Sequence, residues 1–518
     1  MKAKNVLIGL VLATGLIIPS CEEEKIPPNE QIPENNQDIS HESMTILGEQ
    51  LENPYTVTNM KKAYSNLKST STESPEINIE TTHYYIRFLP KNEEEFDLLK
   101  EDTSLILYDI PLDFEIEVQG VYYHDPELPD TAITWQYCAV TVDKELPDIY
   151  YEKLANLHIP PTDEADEGNL KRTDAETVFY ETLEDEALRI TGNIDESVLK
   201  STNSIQRKKK WRPAGRIRVW DDVTSSYVGV HGVKVRARRW FKTKTGTTNS
   251  TGRFSCNGRF RRKANYSLKW EKYHFSIRSG TAGQAKLDGP KKRGDWNKNI
   301  RGGKSEFYAT IFRATRHYYY GNLRGIRRPP KNSFWKPQMK IAAMYKSNND
   351  GNARHEASLR VFGLFNWITI WNPSRDCDDI YGTTTHELAH ASHWNMDHGK
   401  YNDTKTIVKE SWARGVQRHL TRMVYSNYSP TYSRLDYTGI VQDMLDGNKT
   451  TRSYYYSKFD TYSYKTYNDR VNGYTIKQIE DALKGQKNWN GWRNNIKNKY
   501  NNGTENNLDA AFAYWNSK

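Results

Sequence analysis

Five consecutive residues, His386-Glu387-Leu388-Ala389-His390, limit this chain more than any other feature of its 518 residues. In a helix two histidines four positions apart lie about 40° round the axis and about 6 Å along it. Both imidazoles can then reach one zinc ion at roughly 2.0–2.1 Å. Glu387 lies between them, free to take a proton from a water without being a ligand. The preceding Thr383, Thr384 and Thr385 offer N-cap hydroxyls, so a helix is expected over about 384–398.

A catalytic zinc takes three protein ligands, with the fourth position left for water. His393 is seven residues beyond His386, about 10 Å along a straight helix and too far to share an ion with it. Ala391 and Ser392 continue the helix, so His398 could return only if the chain bends before Gly399. Glu410 follows His390 by twenty residues, in a helix expected over about 404–424. Val408, Trp412, Val416 and Leu420 make that helix's apolar stripe, and Glu410 falls off it. It is the expected third ligand, the alternative being an ion pair with Arg414 at i+4.

H-E-x-x-H followed at this distance by Glu410-Ser411-Trp412-Ala413 resembles the gluzincin metallopeptidases over roughly residues 305–518. The resemblance implies one zinc on His386, His390 and Glu410, Glu387 as general base, and an α+β upper lobe over a helical lower lobe. It also implies a substrate-pairing edge strand ahead of the site helix, where Trp367, Thr369 and Trp371 share one face of an expected strand. An ordinary core strand is the alternative there. A His or Tyr that stabilises the oxyanion is implied too, with His419, Tyr425, Tyr428, Tyr432 and Tyr437 all open.

The N-terminus carries an address. Lys2 and Lys4 precede an apolar run from Val6 to Pro19, shorter than the ~20 residues of a spanning helix but suited to a secretory signal. Ile18-Pro19-Ser20-Cys21 resembles a bacterial lipoprotein signal in which Cys21 is acylated, although Ile18 and Pro19 depart from the usual Leu-Ala/Ser. An ordinary cleaved signal is the alternative. Glu22, Glu23 and Glu24 resemble the tag that exports lipoproteins of Bacteroides-type bacteria. Residues 1–20 read as signal and 21–42 as a flexible tether, so the expected location is the outer membrane or cell surface, with Cys21 as lipid anchor. Cys138, Cys256 and Cys377 remain, too few and too scattered for a disulfide framework.

The length exceeds one compact domain, and a mean hydropathy of −0.86 excludes a membrane-spanning bundle. Charge divides the chain sharply. Residues 21–200 hold 41 acidic and 13 basic side chains, a net of −28, and residues 201–518 hold 59 basic and 24 acidic, a net of +35. The expected fold is multi-domain: an acidic α+β module (43–200), a small β-sandwich (207–290) and an α+β catalytic domain with a mainly helical C-terminal lobe (304–518). Gly215–Asp221, Gly229–Val235 and Gly252-Arg253-Phe254 resemble the prealbumin-like sandwich appended to many carboxypeptidases. Expected helices include 181–199, and expected strands include 105–108. The basic sandwich, interleaved with aromatics, could hold an anionic glycan; no nucleic-acid motif accompanies it. Attraction between the halves is the other expectation, with the acidic module docked on the sandwich and catalytic domain and covering the zinc cleft; two solvated surfaces of opposite sign are the alternative.

The function expected from these features is that of an exported, lipid-anchored zinc endopeptidase acting on proteins or glycoproteins. The alternative is a non-catalytic surface adhesin that uses the basic sandwich. No sequence feature bears on oligomeric state.

Overall fold

The computed structural model describes residues 43–70, 75–161, 174–194, 209–280, 283–333, 338–345, 367–372, 376–430, 432, 436–446, 452–458, 461–467 and 470–516. The expected signal, Cys21 and the tether lie outside these residues. Among the described residues no helix is long and apolar enough to cross a membrane. Helices and several separate sheets make a multi-domain α and β protein.

In the acidic part an antiparallel sheet runs Gln136–Thr141, His83–Phe88, Tyr151–Leu157. Helix Glu93–Glu101 starts where the Asn92 side chain accepts the Glu95 N–H. Leu105 to Tyr108, expected as a strand, contributes only the isolated bridge of Tyr108 to Tyr137. The helix expected over 181–199 runs instead as Asp174–Ile190. Gly192, at φ 70, turns the chain out of the helix while the Asn193 N–H closes on the Leu188 carbonyl.

Two four-stranded sheets form the sandwich. One joins Arg253–Ser255, Ala214–Asp221 and Trp296–Ile300, with Ser226–Gly229 also on Ala214–Asp221. The other orders Lys286–Lys292, Ala264–Lys269, Lys234–Arg239, Lys242–Thr247. The strand Trp296–Ile300 lies beyond residue 290 yet pairs in parallel with Ala214–Asp221. Strands Glu271–Lys272, Phe275–Ser279 and Gly283–Gln284 belong to a different sheet. Strand Phe275–Ser279 pairs in parallel with Met339–Tyr345, which pairs in parallel with Trp367–Asn372. Sandwich and C-terminal domain therefore share chain, and one hydrophobic core runs from Ile217 and Val235 through Ile341 to Leu388 and Trp515.

The oppositely charged halves are in contact. Glu184 meets Lys242 at 2.7 Å, Asp185 meets Arg262 at 2.8 Å, and Glu181 meets Lys210 and Arg261. Glu93 meets Arg278 at 2.6 Å and Lys340 at 2.9 Å, and Asp97 meets Lys340 at 2.6 Å. Apolar groups join in: Trp240 of the sandwich belongs to the module's core, and Phe241 lies 5.0 Å from the Tyr85 ring. Among the described residues, none of the module's ion pairs reaches the helices that carry His386 and Glu410.

Burial works to raise the Glu184 pKa, but Lys242, Arg239 and the Tyr55 hydroxyl outweigh it and hold the carboxyl at about 2. A carboxyl whose folded pKa lies below its unfolded value of about 4.3 contributes stability above that value. The contribution is lost as pH falls through the folded pKa. Glu184→Gln is expected to cost about 1.5–3 kcal/mol at pH 7. Urea unfolding of both proteins should show this gap closing between roughly pH 5 and pH 2.

Candidate metal centre

The helix Cys377–Tyr401 starts earlier than the three threonines suggest, with Asp376 at its N-cap. Thr384 and Thr385 do not cap it. Their hydroxyls donate back to the carbonyls of Ile380 and Tyr381, inside the helix. The early start puts His386, Glu387 and His390 in mid-helix, all buried. At Asp397 the backbone leaves helical values (φ −150, ψ 44), so the chain does bend before Gly399. His398 is exposed and packs on Trp394, and the side chain that returns is Tyr401, its hydroxyl 3.1 Å from His390 Nδ1. Asp397 fixes the bend by accepting the Gly485 N–H at 2.6 Å.

The second helix, Thr406–Thr421, buries Val408, Trp412, Val416 and Leu420 in the core and turns Glu410 towards the histidines. Glu410 Oε2 lies 3.1 Å from His386 Nε2 and 3.2 Å from His390 Nε2, and the two ring nitrogens are 3.1 Å apart. Arg414 does not take Glu410; its guanidinium donates to Gln417 Oε1 at 3.0 Å and lies over the Tyr437 ring at 4.6 Å. His393 is buried one turn beyond His390, edge-on to Tyr401, and among the described residues neither ring nitrogen has a hydrogen-bond partner.

Arg414 also decides the proton position on His386. A guanidinium only donates, so Gln417 Oε1 is an acceptor, and His386 Nδ1, 3.1 Å from it, carries the hydrogen. His386 Nε2 is then a bare lone pair in the neutral ring, facing a carboxylate oxygen at 3.1 Å. Lone pairs at this distance repel unless a cation stands among them. His386, Glu387 and His390 also each offer a ligand atom within 4.8 Å of the others, so the group could hold a metal ion.

Burial lowers the His386 pKa to about 4, with His390 and Arg414 adding to the shift against Glu410. Burial also opposes a charge on His390, but Glu410 and Glu387 raise it above the ordinary value. For Glu410 burial works upward, yet the two histidines hold the carboxyl well below the usual range. Glu387, without such a partner, is pushed by burial up to about 8.

Of the five oxyanion candidates, Tyr437 is the one whose ring lies against His386, at 6.0 Å. Tyr428 accepts from Gln417 Nε2 at 2.6 Å, and Tyr425 donates to Asp221 at 2.8 Å. Tyr432 packs near Trp515, and His419 lies among Arg324, Arg418 and His317. Trp367–Asn372 is the last strand of its sheet among the described residues. Ile368 and Ile370 enter the core, while Thr369 and Trp371 sit half-buried on the other face; the Trp367 side chain lies outside the described residues.

Sequence reasoning missed Gln417, Tyr401 and Gly382. Gln417 follows Glu410 by seven positions, two turns along the same face, which is a readable signal. Tyr401 reaches the site only through the bend at Asp397. A Cβ on Gly382 would lie 2.2 Å from the Tyr428 hydroxyl and 3.1 Å from Gln417 Nε2, so glycine lets both seat behind His386.

Comparison with known proteins adds no relative: no family model matches the chain, and no curated protein or solved structure matches it.

Two outcomes are expected when metal content and affinity are measured by competition with a chromogenic chelator. Glu410→Ala lowers occupancy and His393→Ala does not. Gly382→Ala, which displaces Tyr428 and Gln417, weakens metal binding about 10–100-fold.

Proposed function

We propose that the chain is a zinc-dependent endopeptidase. The observation that carries this reading is the buried set of His386 Nε2, His390 Nε2 and Glu410 Oε2, separated by 3.1–3.2 Å. Tetrahedral zinc with ligands at about 2.0–2.1 Å separates its donors by about 3.3 Å, close to what these three present. Two neutral imidazoles and one carboxylate also leave a fourth position for the reacting groups, the donor set of a hydrolytic zinc site. Gln417 and Tyr401 support it by holding the outer nitrogens of the two rings.

Zinc at this position supplies Lewis-acid polarisation of a scissile carbonyl and of a water. Glu387 takes the proton of the attacking water and returns it to the leaving amine. Its burial beside the histidines excludes bulk solvent as a competing proton acceptor. Tyr437, beside His386, donates to the oxyanion as it develops. Trp367–Asn372 offers backbone groups to an extended protein or glycoprotein substrate, with Thr369 and Trp371 on the half-buried face contributing side-chain pockets. A lipid anchor at Cys21 and export to the cell surface remain part of this proposal on sequence grounds.

The alternative, a non-catalytic adhesin using the basic sandwich, finds less support. Lys210, Lys242, Arg261, Arg262 and Lys286 are already engaged with acidic side chains of the module.

Glu387→Gln is expected to lower hydrolysis of a peptide library about 10²–10⁴-fold with zinc content unchanged. Activity equal to wild type would refute the general-base assignment. Tyr437→Phe should lower kcat while leaving KM near its original value, as loss of an interaction made only in the transition state requires.

A further inference from the structure

Gly232 lies in the turn between strands Ser226–Gly229 and Lys234–Arg239, at φ +88. A Cβ there would meet Arg316 Nε at 2.7 Å and Lys272 Nζ at 3.5 Å, so two cationic groups flank one glycine no more than about 6 Å apart. Lys272 is held by the Gly232 carbonyl at 3.1 Å, and an Arg316 terminal nitrogen lies 3.1 Å from His231 Nε2. Because the guanidinium only donates, His231 is the neutral ring with its hydrogen on Nδ1. Arg316 comes from helix Gly303–Tyr320, Lys272 from Glu271–Lys272 and His231 from the turn, so three elements converge here.

Lys210, Lys242, Arg261, Arg262, Arg278, Lys286 and Lys340 meet carboxylates of the acidic module, but this group does not. Among the described residues neither Arg316, Lys272 nor His231 has a carboxylate ion-pair partner; Glu271, next in sequence, pairs with Lys100. Burial and Arg316 lower the pKa of both Lys272 and His231, the mark of like charges crowded together. Next in sequence to Lys272 stands Tyr273, at 59% relative exposure, while the Tyr320 ring is taken by Lys272 and by His274 stacked at 5.7 Å.

We propose that Arg316, Lys272 and His231 form a binding site for a sulfate or phosphate ester on a carbohydrate, with the exposed Tyr273 as a platform for the sugar's apolar face. One tetrahedral oxyanion spans the gap with charge-assisted hydrogen bonds of about 2.7–2.9 Å, and it supplies the negative charge the trio lacks. An aromatic ring offers an apolar face to the sugar C–H groups. The site is independent of the peptidase reading, since none of its residues belongs to the metal centre.

The test is calorimetric titration of the full mature chain with sodium sulfate, sodium phosphate, a sulfated disaccharide, its phosphorylated counterpart and its unmodified form. The expected result is saturable 1:1 binding of one esterified disaccharide, tighter than the free ion, with no binding of the unmodified sugar. Arg316→Gln and Lys272→Gln each weaken it at least tenfold, while Lys298→Gln on the far strand Trp296–Ile300 does not. Tyr273→Ala weakens the disaccharide but not the free ion. Preference for sulfate or for phosphate identifies the ester. Absence of saturable binding by every probe, or equal binding in wild type and Lys272→Gln, overturns the proposal. Lys272 sits half-exposed at a strand end, so its variant carries the test if Arg316→Gln fails to fold.

Discussion

A bare lone pair on His386 Nε2 facing a Glu410 carboxylate oxygen inside a protein is an unstable arrangement, and much of the C-terminal domain is organised to enforce it. His386 Nε2, His390 Nε2 and Glu410 Oε2 stand 3.1–3.2 Å apart with little solvent to screen them. Left to itself the carboxylate would turn towards Arg414, four residues along its own helix. It does not, because Arg414 is taken by Gln417 and the Tyr437 ring. The rings would rotate about χ2, but Gln417 and Tyr401 hold their outer nitrogens. Each restraint has a backbone cause. Gly382 admits Tyr428 and Gln417 behind the first histidine, and the bend at Asp397 brings Tyr401 back to the second. Gly415, where a Cβ would lie 2.3 Å from Val441, lets helix Ile440–Leu445 close on the Glu410 helix.

How much of this could be read beforehand divides along local and non-local lines. The H-E-x-x-H pair and the stripe of Val408, Trp412, Val416 and Leu420 are local patterns, and the helices follow them. That Glu410 stands beside the histidines follows from its being off the stripe of a helix whose apolar side is committed to the core. The helix start was misread because threonine hydroxyls serve equally as caps and as back-bonding groups within a helix. Only the residues upstream, Asp376 and Cys377, distinguish the two. Tyr401 and Gly382 carry no local signal, since their roles come from a bend and from a contact with a later helix. Among the sheets, Phe275–Ser279 alternates like a sandwich strand and yet joins another sheet, because period-two patterning fixes a face and not a partner.

The charge division in the sequence likewise has a structural meaning that composition alone leaves open. A net of −28 against +35 could have belonged to two independent solvated surfaces. Instead, helix Asp174–Ile190 aligns Glu181, Glu184 and Asp185 on Lys210, Lys242, Arg261 and Arg262. Trp240 and Phe241 enter the module's apolar core from the sandwich side. Charge pairs and aromatic burial therefore act together at this contact, the second being a term that salt does not screen.

That contact also bears on whether the module could act as a detachable cover. Arg278 is 1% exposed and Lys340 4%, and their carboxylate partners, Glu93 and Asp97, come from the module. Arg278 and Lys340 lie on the neighbouring strands Phe275–Ser279 and Met339–Tyr345, and Lys340 is in register with Trp367 on the outer strand. Taking the module away would strip counter-charges from two buried cations in the sheet that carries this strand. With the module in place both cations are covered, and their pairs with Glu93 and Asp97 tie the acidic module to the two strands that lead to Trp367–Asn372.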